Sequence, residues 1–426
     1  MNNISVTLFD KQKKMLLFVI IVLFRFCLDS VYKVQISPVY AYNHLEYNPS
    51  ETSMLVSWVI LLFLSYSLVR FLPNRLVTST VLICSFFMGC VPFTSYIGNL
   101  QQDSSFILAQ TLFWFFYLTV PAFIKIPHIR QVSSPFLVHV LTVVLLLSIL
   151  IVSGVYRHFH IDWSFLRLDF SEVYDARLEA RDFNIPTLLL YIWSAAENAV
   201  PILLIYYFLK GKKWIACFIG VCLLLNFSID GSKSVLFKLV LALLLYITRK
   251  KIDIIYLCWF FLGVVFISIL EYILFDSSFL SYLIVRRLFF IPKAIDVVYF
   301  DYISSHGPLF FSHGIENGQS VQFIVTDLYF GGNGEGRANN GLFSDAFMNL
   351  YWPGLFIYPI IYAVFLFLCD KLSENLRKDI VYYGSFLIAF TLLSSEFTTS
   401  LLTHGIVVLC LILYCIPRTK EMVLKR

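Results

Sequence analysis

Charge is scarce in this chain. Only 14% of its 426 residues are Asp, Glu, Lys or Arg, against 59% hydrophobic. A soluble domain does not carry that ratio. Several enzyme signatures are missing too. There is no Gly-x-Gly-x-x-Gly and no P-loop, and the short basic connections leave no room for a nucleotide-binding fold. Chemistry driven by ATP or a nucleotide cofactor is therefore excluded, and no cofactor is expected. No Cys-x-x-Cys occurs, and the nine Cys lie within or at the ends of apolar runs. They read as small apolar side chains, not as a disulfide frame or a thiolate metal site. No Asp-x-Asp and no clustered carboxylates suggest a metal centre, so no metal ligands are assigned. Internal repeats and Ser/Gly linkers are also missing, which argues for a single membrane domain, 1–426, and against transporter folds built from repeated halves.

Long apolar runs are what the chain does have. A run of about 17–25 residues is read as a membrane-spanning helix. Twelve are expected, at about 15–32, 54–71, 76–93, 105–124, 133–155, 187–209, 214–229, 234–248, 252–274, 351–369, 380–396 and 400–416. The fold class is thus an all-α polytopic membrane protein. With both termini cytoplasmic, 20 of the 32 Lys and Arg fall in short inner connections or at the ends of the chain. This is the positive-inside pattern. The net charge of +5 belongs to that pattern and implies no nucleic-acid partner. Arg25 and Asp29, inside the first run, have the i, i+4 spacing of a neutralising pair, which favours a retained span over a cleaved signal.

Two polar blocks interrupt the runs, at 156–186 and 275–350, and both fall on the outer side. In the first, Phe170–Arg181 has the pattern of a short surface helix with Tyr174, Arg177 and Arg181 on one face. The alternative is a solvated helix with internal ion pairs. The second opens with an apolar stretch carrying Arg286, Arg287 and Lys293, expected to be an interfacial or re-entrant helix ending near Pro292. Adjacent arginines diverge by about 100° on a helix, so at least one faces protein or substrate. Arg287 is expected to matter more than Arg286. Headgroup anchoring is the competing role for the pair.

The turn Asp230-Gly-Ser-Lys-Ser234 joins two short runs and begins an outward-pointing helix N-terminus. With Lys233 it has the makings of an anion site, or else of a polar hairpin with Asp230 as N-cap. Lys233, Arg286 and Arg287 together are expected to hold a phosphate group. Glu197 and Asn198 sit mid-run, and pairing of Glu197 with Lys238 or Arg25 competes with a functional role. His306 and His313 are candidate general bases, since imidazole exchanges protons near neutrality. Asp345 is the competing carboxylate. Arg337, beside the Gly-rich stretch, binds substrate or forms an ion pair with Asp345.

Four stretches in order carry a family resemblance. They are Val173–Arg181; Asp230–Ser234; Arg287–Pro292 with Tyr299-Phe-Asp-Tyr302 and Phe310-Phe-Ser312; and Asn339–Ala346. With the two large outer loops, they resemble the Wzy-type oligosaccharide repeat-unit polymerases, the O-antigen polymerases. The chain departs from that family's frequent Gly-Ser-Arg at Lys233, keeping the charge but losing the bidentate fork.

The resemblance implies a GT-C-like, metal-independent membrane glycosyltransferase of the bacterial inner membrane with a periplasmic site. It implies transfer of a growing glycan from undecaprenyl diphosphate to the terminal sugar of a new lipid-linked repeat unit. Implied partners are the lipid-linked oligosaccharide, membrane lipid, a flippase and a chain-length regulator. From their spacing and outer-side placement, the substrate-binding candidates are Tyr174, Arg177, Arg181, Lys233, Arg286, Arg287 and Arg337; the catalytic candidates are His313, placed first because it follows the shared Phe310-Phe-Ser312 stretch, then His306 and Asp345. An O-antigen ligase shares the layout and differs in its acceptor. A lipid-linked-oligosaccharide flippase would need charge along a whole transmembrane path.

Overall fold

A computed structural model describes residues 10–125, 129, 132–161, 163, 179–180, 183–248, 253–312, 319–331, 337–338 and 340–418, apart from the side chain of Lys233. The fold is all-helical, with 82% helix and no strand among the described residues. Nine of their helices are long and apolar enough to cross a membrane. In hydrocarbon each backbone N–H and C=O needs an internal partner, and a helix provides it within one segment.

The expectation of twelve spans is corrected in three places. Ser234–Thr248 and Ile406–Cys415 are shorter apolar helices. The run at 400–416 is broken at His404-Gly405, where Gly405 takes φ 71° with its Cα hydrogen facing Ala195. A Cβ there would come within 2.5 Å of the Ala195 Cα, so glycine is needed for both conformation and space. The run at 380–396 forms a 17-residue helix, Lys378–Ser394.

The chain packs as two compact bodies. The first comprises Met1–Pro127, Asp253–Leu368 and Ala389–Phe397; the second comprises His128–Ile252, Cys369–Ile388 and Thr398–Arg426.

In the first body, α1 (Lys11–Val31) runs on through a π-helical turn, Tyr32–Ile36, into a continuous span of Lys11–Asn43. Asp10 caps its start by accepting the Lys13 N–H at 2.8 Å. The helix α2 (Glu51–Phe71) begins with a capping box between Ser50 and Ser53. The span Leu76–Asn99 is 94% buried and forms the centre of this body. Its Thr78, Ser79, Thr80, Ser85, Gly89, Thr94, Ser95 and Gly98 let neighbouring helices approach closely. Gly98 admits Arg25, which is fully buried and bonded to Asp29 at 2.8 Å and to Ser57 at 3.0 Å. The Arg25–Asp29 pair expected from spacing is therefore formed.

Around this centre pack α3 (Ser104–Thr119) and α4 (Ile254–Phe275). One end of the body holds Lys11, Lys13, Lys14, Arg70, Arg75 and Lys125, and Lys13 meets Asp253 there at 2.5 Å. The other end gathers the described connections 32–50, 100–103, 276–312, 319–331, 337–338 and 340–342. Asn48 N–H donates to Asn99 O at 2.9 Å, and Tyr329 OH to Asn43 O at 3.0 Å.

In the second body, α5 (Thr187–Leu209) is central. It packs against Pro135–Arg157, Lys213–Asp230, Lys233–Thr248 and Ile406–Cys415.

Candidate functional site

The loop-bearing end of the first body is built around a helix that starts as π-helix at Ser281–Phe290 and continues as α6 (Ile291–His306). The helix does not end near Pro292, as sequence suggests. Proline has no N–H to donate, but it sits in the first turn of α6, where none is required of it. Adjacent on the helix, the two arginines face different surroundings. Arg286 is 7% exposed, whereas Arg287 lies on the exposed face.

Arg286 carries the most unusual electrostatics in this body. Its Cζ lies 3.8 Å from the centroid of Tyr40, a cation–π contact. Its Nε is buried without a hydrogen bond, and no carboxylate pairs with the guanidinium among the described residues. Tyr282 meets Tyr40 edge-on at 5.2 Å, and Tyr42 lies 6.1 Å from Tyr40. Tyr329 closes the floor, with His44 stacked on it at 5.6 Å. Burial raises the Tyr329 phenol above its ordinary range, against the lowering pull of the Arg286 charge. A buried cation without a counter-ion is costly, so the site suits an incoming anion. Because Arg286 is buried and Arg287 is exposed, the geometry argues for the reverse of the expected order of importance.

Behind this wall, Lys293 donates to Asp296, and both are buried. Asp296 also accepts from Gln110 at 3.0 Å, from Asn340 at 2.7 Å and from Ser344. Asn340 donates further to Pro292 O at 2.9 Å, and Tyr299 OH donates to Ala338 O at 2.8 Å. The chain after the Gly-rich stretch is thereby fixed to α6. Arg337 leaves this anchor exposed, its Cζ 5.1 Å from the Phe323 ring centroid. It forms no ion pair with Asp345, because the segment after it is tied to Asp296 instead.

Asp345 lies in the first turn of α7 (Phe343–Leu372), 2% exposed. It accepts from Asn349 Nδ2 at 2.8 Å, Tyr358 OH at 3.0 Å and Phe397 N–H at 2.7 Å. Asn349 turns its Oδ1 to the Phe311 N–H at 3.0 Å, while its backbone carbonyl takes the Phe310 N–H at 3.1 Å. Phe310 and Phe311 are exposed and have φ of 48° and 65°. Tyr351 in the same helix has φ 56°. Positive φ at three aromatic residues is strained and needs such bracing. Asp345 thus ties the start of α7 to Asn349, to Tyr358 and to the Phe397 N–H.

His306 ends α6 exposed, stacked on Tyr302 at 4.2 Å. Its Nδ1 lies 2.9 Å from Tyr302 O, so that nitrogen carries the proton in the neutral ring. His306 stands twenty residues, about 25–30 Å, beyond Arg286 along the same helix, out of reach of a donor held at Arg286. His313, Tyr174, Arg177 and Arg181 lie outside the described residues.

In the second body, Gly231 (φ 67°) ends Lys213–Asp230, and Lys233 is the first residue of α8 (Lys233–Thr248). Asp230 is not the N-cap of α8: it accepts the Ser232 N–H at 3.0 Å, closing a local turn. Ser234 and Lys238 both donate to Glu197 Oε1, at 2.6 and 2.7 Å. Of the two partners considered for Glu197, Lys238 takes the place. Asn198 donates to His404 O at 2.8 Å.

Among the described residues, no three His, Cys, Asp or Glu side chains are grouped as metal ligands. Set beside known proteins, the chain matches no protein-family model, no curated protein and no solved structure.

Sequence reasoning overlooked Tyr40, Asp296 and Asn349. Weak signals existed for each. Tyrosines are dense at Tyr40-Ala-Tyr42, Asp296 follows Lys293 by one helical turn, and Asn349 follows Asp345 by four residues.

Proposed function

We propose that this chain polymerises lipid-linked oligosaccharide repeat units at the outer face of a bacterial cytoplasmic membrane. The donor is a glycan on undecaprenyl diphosphate, and the acceptor is the terminal sugar of a new lipid-linked unit. A GT-C-like, metal-independent glycosyltransferase would place its site at the loop-bearing end. The gathering of basic residues at the opposite end supports that orientation, with both termini cytoplasmic.

The observation that carries the reading is Arg286, a buried guanidinium with an unpartnered Nε and an aromatic wall. In the reaction, an acceptor hydroxyl oxygen attacks the donor's anomeric carbon. A new glycosidic bond forms as the anomeric carbon–oxygen bond to diphosphate breaks. The electron pair leaves on the diphosphate, whose charge Arg286 stabilises. The hydroxyl proton passes to a base near the reacting centre, for which we propose His313, because His306 stands about 25–30 Å from Arg286 along the same helix. Arg337 is exposed at the same end and contributes charge for the substrate. Lys233 supplies an additional cation in the second body. Tyr174, Arg177 and Arg181 remain proposed substrate contacts on the strength of the common helix face that their spacing predicts. A flippase and a chain-length regulator are the proposed protein partners.

The test is the surface glycan of a deletion strain, complemented by the wild-type gene. A single capped repeat unit on the acceptor supports the polymerase. No attached glycan points to a ligase, and lipid-linked units trapped inside point to a flippase; either result overturns the reading.

A further inference from the structure

The connection after α1 does more than link two spans. It places Tyr40 against Arg286 and leaves Tyr42 75% exposed. Tyr282, from the π-helical segment, stands edge-on to Tyr40. The hydroxyls of Tyr40, Tyr42 and Tyr282 make no hydrogen bond among the described residues. Tyrosines elsewhere at this end are tied to carbonyls: Tyr32 to Glu46, Tyr96 to His44 and Tyr329 to Asn43. One set of tyrosines therefore builds the scaffold, and another presents rings and hydroxyls to a ligand.

We infer that Tyr40, Tyr42 and Tyr282 form a sugar-binding shelf beside Arg286. The anion held there then carries a pyranose ring directly on its phosphate. This rests on the reading of Arg286 as a phosphate binder. A guanidinium takes phosphate oxygens in a fork. An aromatic face takes the C–H face of a sugar, and a phenol hydroxyl can bond its ring hydroxyls. The Tyr42 ring lies at most about 10 Å from the guanidinium carbon, from the 6.1 Å and 3.8 Å separations through Tyr40. A glycosyl phosphate spans that reach. Tyrosines serving only as anchors at a membrane surface would be indifferent to the sugar.

The experiment measures binding to the full chain in lipid nanodiscs by native mass spectrometry. The probes are undecaprenyl diphosphate and the same lipid bearing N-acetylglucosamine. Wild type should prefer the sugar-bearing lipid by about tenfold, the size of an aromatic stacking contact. Tyr42→Ala and Tyr282→Ala should bring that ratio close to one while keeping affinity for the bare lipid, and Tyr42→Phe should retain most of it. Equal binding of both lipids by wild type overturns the shelf. So does an equal loss of both lipids in the tyrosine variants, which would make the rings mere props for Arg286. Arg286→Ala should lose both lipids. If it binds the bare lipid as wild type does, the phosphate reading of Arg286 fails, whatever the sugar ratio.

Discussion

Asn349 donates from Nδ2 to the Asp345 carboxylate at 2.8 Å, one helical turn away, while its Oδ1 holds the Phe311 N–H at 3.0 Å. One buried carboxylate thus fixes a carboxamide, and the carboxamide fixes a strained aromatic loop. Asn349→Ala should release the loop and strand part of the Asp345 hydrogen-bonding capacity. We expect a stability loss of about 1–3 kcal/mol, the cost of an unsatisfied buried polar group. Thermal unfolding in detergent reads it. An unchanged midpoint would mean that water replaces the amide at no cost.

Arg286 and Arg287 should differ sharply despite adjacency. Arg286→Ala should abolish the polymer ladder at unchanged protein level, and Arg286→Lys should recover only part of it, because ammonium lacks the planar fork. Arg287→Ala should keep most of the ladder. Immunoblots paired with glycan gels measure both quantities. Ladders of equal length in Arg286→Ala and wild type would remove Arg286 from the site.

His313→Ala should slow single-turnover polymerisation of purified lipid-linked units by about 10²–10⁴-fold, the usual contribution of a general base, whereas His306→Ala, about 25–30 Å from Arg286 along the same helix, should keep the rate. Asp345→Asn should lower thermal stability, because Asn349, Tyr358 and the Phe397 N–H all donate to that carboxylate. If His313→Ala keeps the full rate, the base is another group, with Asp345 the next residue to replace.

Two glycine substitutions should move stability in opposite directions. A Cβ on Gly341 would stand 1.9 Å from Leu392 O and 2.4 Å from Ser395 O, both backbone atoms that cannot step aside. Gly341→Ala should cost more than about 3 kcal/mol or prevent folding. Gly220, inside the helix Lys213–Asp230, has nothing within 4 Å of such a Cβ. Gly220→Ala should stabilise by about 0.5–1 kcal/mol through helix propensity. Melting temperatures of the two variants check the signs.

Much of the architecture was legible in the residue order alone. Hydropathy is a local property, so the long apolar runs and most of their limits could be read directly. Helical spacing is local too, and it correctly paired Arg25 with Asp29. Lys238 was one of two partners proposed for Glu197, and the tertiary structure chose it. Where the runs were short, length alone misjudged them. The 400–416 run breaks because Gly405 must lie against Ala195, a contact between helices remote in sequence.

By itself, then, the sequence determined a helical membrane chain with charge gathered at one set of turns, because burial in lipid constrains every residue in its own place. The tertiary structure decided what each polar residue near the candidate site does. Arg286 is buried and Arg287 is exposed because packing brings Tyr40, some 246 residues earlier in the chain, against the first and not the second. Asp345 is braced because Tyr358, Asn349 and Phe397 converge on it. Such convergence is a property of packing between distant segments, and no local pattern encodes it.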